Sequence, residues 1–161
     1  MIEFRAARGD DWPLLWAMLE PVIRAGETYA LPRDMSARDA LAYWMGPDRE
    51  TFVAEEGGVP VGTWYLRANQ PGGGAHVANC GFVTAPAAAG RGVARAMCRR
   101  AIDDAVARGF RAMQFNFVVS TNARAVRLWE SLGFATVGRL PGAFAHPVAG
   151  DVDALVMYRM L

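Results

Sequence analysis

The chain has no lysine; all 17 of its basic residues are arginine. That excludes Schiff-base chemistry and any phosphate loop built on Gly-Lys-Ser/Thr. Only two cysteines are present, Cys80 and Cys98, and they suggest no disulfide framework in a reducing compartment. Histidine is as scarce, with His76 and His146 alone. His76 and Cys80 fall on one face of an expected strand but about 13 Å apart, too far to share a metal, so no metal is expected. No run of about 18 apolar residues occurs, so no membrane span is expected. The first residues, "MIEFRAARGDDW", carry charges where a secretory leader needs an apolar core, which predicts a cytoplasmic protein. Basic and acidic residues nearly cancel, 17 against 16, and that balance does not favour a nucleic-acid partner.

What is present reads as one domain over residues 1–161, with 53% apolar and 20% charged residues. A chain of this length can bury roughly 70% of its unfolded surface without staples. Glu3–Ala7 reads as a strand. Asp10 or Asp11 then caps a helix with Pro13 in its first turn and an apolar stripe of Leu14, Leu15, Met18, Leu19, Val22 and Ile23. Pro21 is expected to end or kink it. Ser36–Met45 reads as a second helix capped by Ser36. "TFVAEE" and "VPVGTWYLRA" flank Gly57-Gly58 as a hairpin. His76–Val83 reads as a strand and Gly92–Gly109 as a helix. That helix sets Val93, Met97, Ala101 and Ala105 on one face beside Cys98, Ile102 and Val106, with an Arg99–Asp103 pair elsewhere. Ala112–Val119 is an apolar strand, and a helix capped by Thr121 or Asn122 runs to Gly133. "FATVGRL" and "DALVMYRML" close the chain as strands. Strand–helix–strand–helix in the second half implies a right-handed crossover between parallel strands, and the hairpins make the sheet mixed.

The stretch "AGRGVARAMCRRA", Ala89 to Ala101, places Gly90 and Gly92 between a strand and a helix. Glycines there let backbone N–H groups approach a ligand, and the helix N-terminus adds unpaired donors, so the turn suits an anion. A dinucleotide fingerprint would need a third glycine where Arg95 stands. A tight turn with no ligand is the competing reading.

The surroundings decide between them. "FVTAPAAAGRGVA" (Phe82–Ala94) resembles motif A of the GNAT N-acetyltransferases, and "NARAVRLWESLGF" (Asn122–Phe134) resembles their motif B at Asn122, Ala125, Leu128, Trp129, Gly133 and Phe134. The resemblance covers the whole chain. It implies an α/β (mixed α+β) fold: a mostly antiparallel sheet of six to seven strands with a central, splayed parallel pair and about four helices. It also implies acetyl-CoA as cofactor and an amine as acceptor. Ala89, Gly90, Arg91, Gly92, Val93 and Ala94 would hold the pyrophosphate, Phe82, Val83 and Thr84 the pantetheine arm, with Asn122 and Trp129 beside it. Two positions depart from the pattern. Ala89 replaces the usual Arg or Gln, a charge that Arg91 could supply. Trp129 stands where many relatives carry a tyrosine proposed as general acid, and an indole N–H cannot deliver that proton.

Asn79 and Asn116 interrupt apolar strands, and a buried amide costs about 1–3 kcal/mol unless paired. Each either satisfies a frayed backbone group or faces the cleft. "HVANCGFV", "AMQFNFVVSTNARAVRLWESLGF" and the C-terminal strands are similar to a GNAT subgroup that acetylates proline analogues such as azetidine-2-carboxylate. In that subgroup the matching asparagines are associated with the substrate carboxylate. The resemblance therefore implies a small amino or imino acid as acceptor. The alternatives are an acetyltransferase of the phosphinothricin or methionine-sulfone type, or a non-catalytic acyl-CoA sensor. A histone tail or tRNA is not expected; a homodimer is compatible with the sequence. Tyr29, between the early helices, is a candidate for the acceptor wall and for acid–base work, or a half-buried packing aromatic; His146, a loop histidine, either satisfies local backbone groups or does acid–base work. Glu27 reads as a base or a solvated charge. Trp12, Trp16, Trp44 and Trp64 read as core or cleft wall. With no Ser-His-Asp or Cys-His set, direct attack by a neutral amine is expected, the oxyanion held by a backbone N–H at the end of the His76–Val83 strand.

Overall fold

Seven strands join in one sheet, and the computed structural model describes every residue from Met1 to Leu161. In chain order the elements are β1 (Ile2–Ala6), α1 (Trp12–Ala25), α2 (Ala37–Trp44), β2 (Glu50–Glu56), β3 (Val59–Ala68), β4 (Val77–Thr84), α3 (Val93–Ala107), β5 (Ala112–Val119), α4 (Ala123–Ser131), β6 (Ala135–His146) and β7 (Gly150–Met160). Across the sheet the order is β1-β2-β3-β4-β5-β7-β6. Every neighbouring pair is antiparallel except β4 and β5. This is the mixed sheet with one parallel pair and four helices that the motifs implied.

The sheet carries a core on each face. Val93, Met97, Cys98 and Ala101 of α3 and Trp129 of α4 pack with Ala78, Cys80, Met113 and Phe115 of the central strands. On the other face, Leu15, Met18, Leu19 and Ile23 of α1 and Ala40 and Trp44 of α2 pack with Val53, Tyr65 and Val83. Strand alternation divides β4 between them, even-numbered residues toward α3 and odd-numbered toward α1. Trp44 Nε1 donates to Thr63 Oγ1 at 3.0 Å, and Thr63 in turn donates to Phe52 O at 2.8 Å, which ties α2 to the hairpin.

Local structure departs from expectation at five points. Asp11 precedes α1, but its side chain makes no cap bond to the helix and accepts from Arg8 N–H instead. Helix α1 runs through Pro21 and stops at Gly26, whose φ of 65° suits a left-handed cap. Ala17, whose carbonyl loses its donor to Pro21, is exposed as Pro21 is, so the unpaired carbonyl lies where solvent can reach it. Leu14 and Val106, both 53% exposed, lie outside the buried stripes expected to contain them. Arg99 and Asp103 do not pair; Arg100 lies over the Phe4 ring at 5.9 Å and donates to Asp104 at 3.0 Å instead. The closing strands are longer than the sequence suggests, because β6 crosses Pro141-Gly142 through a bulge while Asp153 of β7 accepts the Gly142 N–H at 2.9 Å.

Candidate active site

Strands β4 and β5 pair only at Val77–Ala112 and Ala78–Met113, then part. Two features open them. β5 shifts register against β7 between Phe115 and Val118. Just past the last ladder pair, the Asn79 side chain replaces a strand hydrogen bond, its Nδ2 donating to Gln114 O at 2.9 Å. The gap widens into a cleft of about 720 Å³.

The main chain of β4 feeds this cleft. Asn69 N–H donates to Val77 O, and Ala85 N–H to Val61 O. Odd-numbered residues of β4 therefore spend their backbone groups on β3, while Phe82 and Thr84 turn theirs toward the gap. Tyr29 OH donates to Phe82 O at 3.0 Å, which leaves the Phe82 N–H as the free group there.

On the α3 side, Phe82, Phe115 and Trp129 form an aromatic floor with ring centroids 5.0–6.0 Å apart. Above it, the loop before α3 holds Gly90 and Gly92 at φ of 80° and 81°. The N–H groups of Gly90, Gly92, Val93 and Ala94 meet no backbone acceptor, and Gly92 leads into a helix of 15 residues. Ala89 N–H and Arg91 N–H are committed to turn bonds with Pro86 O and Ala88 O. Arg91 does not line the cleft; it reaches back to an ion pair with Glu56. The cations present are Arg95, Arg124 and Arg127, and Arg124 Nη2 lies 3.3 Å from where a Cβ on Gly90 would stand. Four free amides, a helix N-terminus and three guanidinium groups fit a pyrophosphate and its neighbouring phosphate.

On the α1 side, the lining includes Tyr29, Tyr43, Tyr65, Arg67, Asn79 and Asn116. Asn79 is 5% exposed and accepts from Arg67 Nε at 3.2 Å. Asn116 Nδ2 donates to Asn69 Oδ1 at 2.7 Å, and its Oδ1 accepts from Gln114 Nε2 at 2.9 Å. Both asparagines thus satisfy protein groups while facing the cleft, and each Nδ2 keeps one further N–H to donate. Burial raises the Tyr29 and Tyr65 hydroxyls and the Cys80 thiol well above their ordinary pKa values, so all three stay protonated at neutral pH.

Of the residues singled out from the sequence, Phe82, Val83, Thr84, Ala89, Gly90, Gly92, Val93, Ala94, Asn122 and Trp129 line the cleft, as do Tyr29, Asn79 and Asn116. Asn122 also caps α4, accepting from Ala125 N–H at 3.3 Å. His146 lies elsewhere: it ends β6, and its Nδ1 accepts from Val148 N–H and Ala149 N–H at 3.1 and 3.0 Å, which stiffens the β6–β7 turn. Glu27 is exposed and outside the lining. Trp44 and Trp64 are core, and Trp12 stacks on Trp16 at 6.0 Å; none of the four lines the cleft. The sequence reading missed Tyr43, Tyr65, Arg67, Arg95, Arg124 and Arg127. Arg67 had a signal, a charge at the end of the apolar run "VGTWYL".

A slot between splayed parallel strands, with an anion cradle on one face and a polar pocket on the other, defines an acyl-CoA-dependent N-acyltransferase. Residues 14–134 match the model of the acetyltransferase (GNAT) family, and the chain belongs to that family. It is 27% identical over 137 residues to the N-acetyltransferase aca1 of Schizosaccharomyces pombe, covering 75% of this chain and 66% of that protein's length. A GCN5-related N-acetyltransferase from Kribbella flavida superposes with a TM-score of 0.95 at 45% identity, over 99% of this chain and 98% of the other. A phosphinothricin acetyltransferase from Sinorhizobium meliloti, solved in complex with AcCoA, shares the fold at a TM-score of 0.86 and 19% identity, over 99% and 88% of the two chains. No helix is long and apolar enough to cross a membrane.

Proposed function

We propose that the chain transfers the acetyl group of acetyl-CoA to the amine of a small amino or imino acid, by direct attack within a ternary complex. The observation that carries this reading is the slot itself. Phe82 presents its N–H in a gap that has the anion cradle on one face and Arg67, Asn79 and Asn116 on the other.

Bound acetyl-CoA would supply the thioester as acyl donor. The amides of Gly90, Gly92, Val93 and Ala94, with Arg124 beside them, would hold its pyrophosphate. Thr84 main chain would pair with its arm, and Phe82 N–H would donate to the developing oxyanion. Tyr29 acts as a positioning residue, since its hydroxyl is committed to Phe82 O. Cys80 is buried and protonated, and Cys98 is buried in α3, so neither offers a thiolate for a covalent route. The amine releases its proton to water leading out of the cleft. No acid would be needed at the coenzyme A thiolate, since a thiol pKa of about 8.5 makes it a fair leaving group.

The test is thiol release from acetyl-CoA across a panel of amino and imino acids, with azetidine-2-carboxylate and phosphinothricin compared directly. Release with the secondary amine is the expected result. Preference for the primary amine would move the substrate to the phosphinothricin class. Tight binding of coenzyme A with no release for any amine would make the chain a sensor. Asn116→Ala is expected to raise the acceptor KM far more than the acetyl-CoA KM; equal effects would make Asn116 structural.

A further inference from the structure

The charges lining the cleft are all of one sign: the lining contains Arg67, Arg95, Arg124 and Arg127, and no aspartate or glutamate. Three of the four stand on α3 and α4 beside the phosphate loop. Arg67 stands apart, on β3, in register with Asn79 where β4 and β5 begin to part.

Arg67 is not used up by the protein. Its Nε donates to Asn79 Oδ1 at 3.2 Å and its Nη1 reaches Asp48 Oδ2 at 3.3 Å, a long contact for a charged pair. Its Nη2 has no partner, and the side chain is 28% exposed. Asp48 does not line the cleft, and Arg49 already holds it at 2.9 and 3.0 Å. One carboxylate thus faces two guanidinium groups, and an unmatched positive charge remains at the acceptor end. Arg49 reinforces it from behind: 7% exposed at the side chain, it lies against the Tyr43 and Tyr65 rings at 4.9 and 4.6 Å.

We propose that Arg67 receives the carboxylate of the acceptor, so that the substrates are amino or imino acids with a free carboxylate and not simple amines, polyamines or lysine-rich peptides. The proposal rests on the transferase reading above and narrows it. A guanidinium fork matches a carboxylate, and a cationic acceptor would be repelled from a cleft that offers no acid. Asn79 fixes the guanidinium, and three strand residues, about 10 Å, separate Asn79 from Phe82. That span fits a guanidinium, a carboxylate and an α-amine laid in line toward the Phe82 N–H. The same field disfavours the ammonium form of the bound amine, easing the proton loss for which the cleft supplies no base.

The experiment compares azetidine-2-carboxylate with azetidine, which lacks the carboxylate, in the full chain and in its Arg67→Gln and Arg67→Lys variants. Turnover is read by thiol release, and binding of each compound in the presence of coenzyme A by calorimetry. The expected result is that Arg67→Gln raises the KM for azetidine-2-carboxylate on the order of ten- to a hundredfold. The KM for acetyl-CoA stays unchanged, azetidine is affected far less than azetidine-2-carboxylate, and Arg67→Lys recovers part of the loss. Equal losses for both acceptors, or a wild type indifferent to the carboxylate, would overturn the inference while leaving the transferase reading intact. Were neither compound acetylated, the imino-acid acceptor of the proposed function would fall, and calorimetry would still decide this inference. Azetidine-2-carboxylate binding that is lost in Arg67→Gln supports it; no binding, or binding unaffected by the variant, overturns it.

Discussion

Ala89 has no side chain to offer an anion, and its N–H is spent on Pro86 O. Its neighbour Arg91 turns to Glu56 on the hairpin side, whereas Arg124 extends from the start of α4 over Gly90. Arg91→Ala is therefore expected to leave coenzyme A affinity within about twofold, while Arg124→Ala weakens it about fivefold, the size of one exposed charge contact of roughly 1 kcal/mol. Calorimetric titration of coenzyme A into the two variants checks the contrast. A second single atom matters across the slot. A Cβ on Gly81 would stand 2.6–2.9 Å from the Tyr65 ring, which Trp44 and Arg49 hold in place at 5.0 and 4.6 Å. Gly81→Ala should cost about 1–3 kcal/mol by forcing that ring aside. Because Tyr65 lines the acceptor end, the acceptor KM should rise more than the acetyl-CoA KM; steady-state kinetics and a urea melt on the same variant read both effects.

Helix α1 shows how an element is anchored by contacts that its own sequence does not announce. The Asp11 carboxylate accepts from Arg5 at 2.7 and 2.8 Å and from Arg8 N–H at 2.6 Å, tying the helix start to β1. The Arg5 guanidinium holds the Asp11 carboxyl below its ordinary value. Its contribution is thus present above the unfolded pKa of about 3.9 and is lost as pH falls toward the lower folded value. Asp11→Asn should cost about 2–3 kcal/mol at pH 7 and less at pH 3, measured by urea midpoints at the two pH values. Pro21→Ala should act in the opposite direction. Restoring the bond to Ala17 O outweighs the added entropy of the unfolded chain, for a gain of about 1 kcal/mol in the same assay. Period and punctuation made β5, α3 and the Gly57-Gly58 hairpin legible, because local spacing determines those elements. The motifs located Phe82, Gly90, Gly92 and Asn122. The partners of Arg67, Arg91 and Asn79 were not legible, since they depend on strand register and on which way a guanidinium turns. Of the two readings open for His146, the local one holds: its ring is committed to backbone groups of the β6–β7 turn.

Over the whole molecule the charges nearly cancel, yet the cleft collects four arginines and no carboxylate. Its other titratable lining is tyrosine and Cys80, and burial pushes Tyr29, Tyr65 and Cys80 upward. No histidine reaches it. Tyr29, Tyr65 and Cys80 stay protonated through the neutral range, so the ionisation that limits the reaction is expected to belong to the acceptor amine. The logarithm of kcat/KM should rise with unit slope and level off at the amine's own pKa. Two acceptors with different amine pKa values should give inflections separated by that difference, and His146→Ala should leave both profiles unmoved. An inflection that stays fixed when the acceptor is exchanged would mean that a protein group takes the proton. Tyr29→Phe would then be the next variant to profile, because its hydroxyl lies against the Phe82 carbonyl, beside the free N–H assigned to the oxyanion.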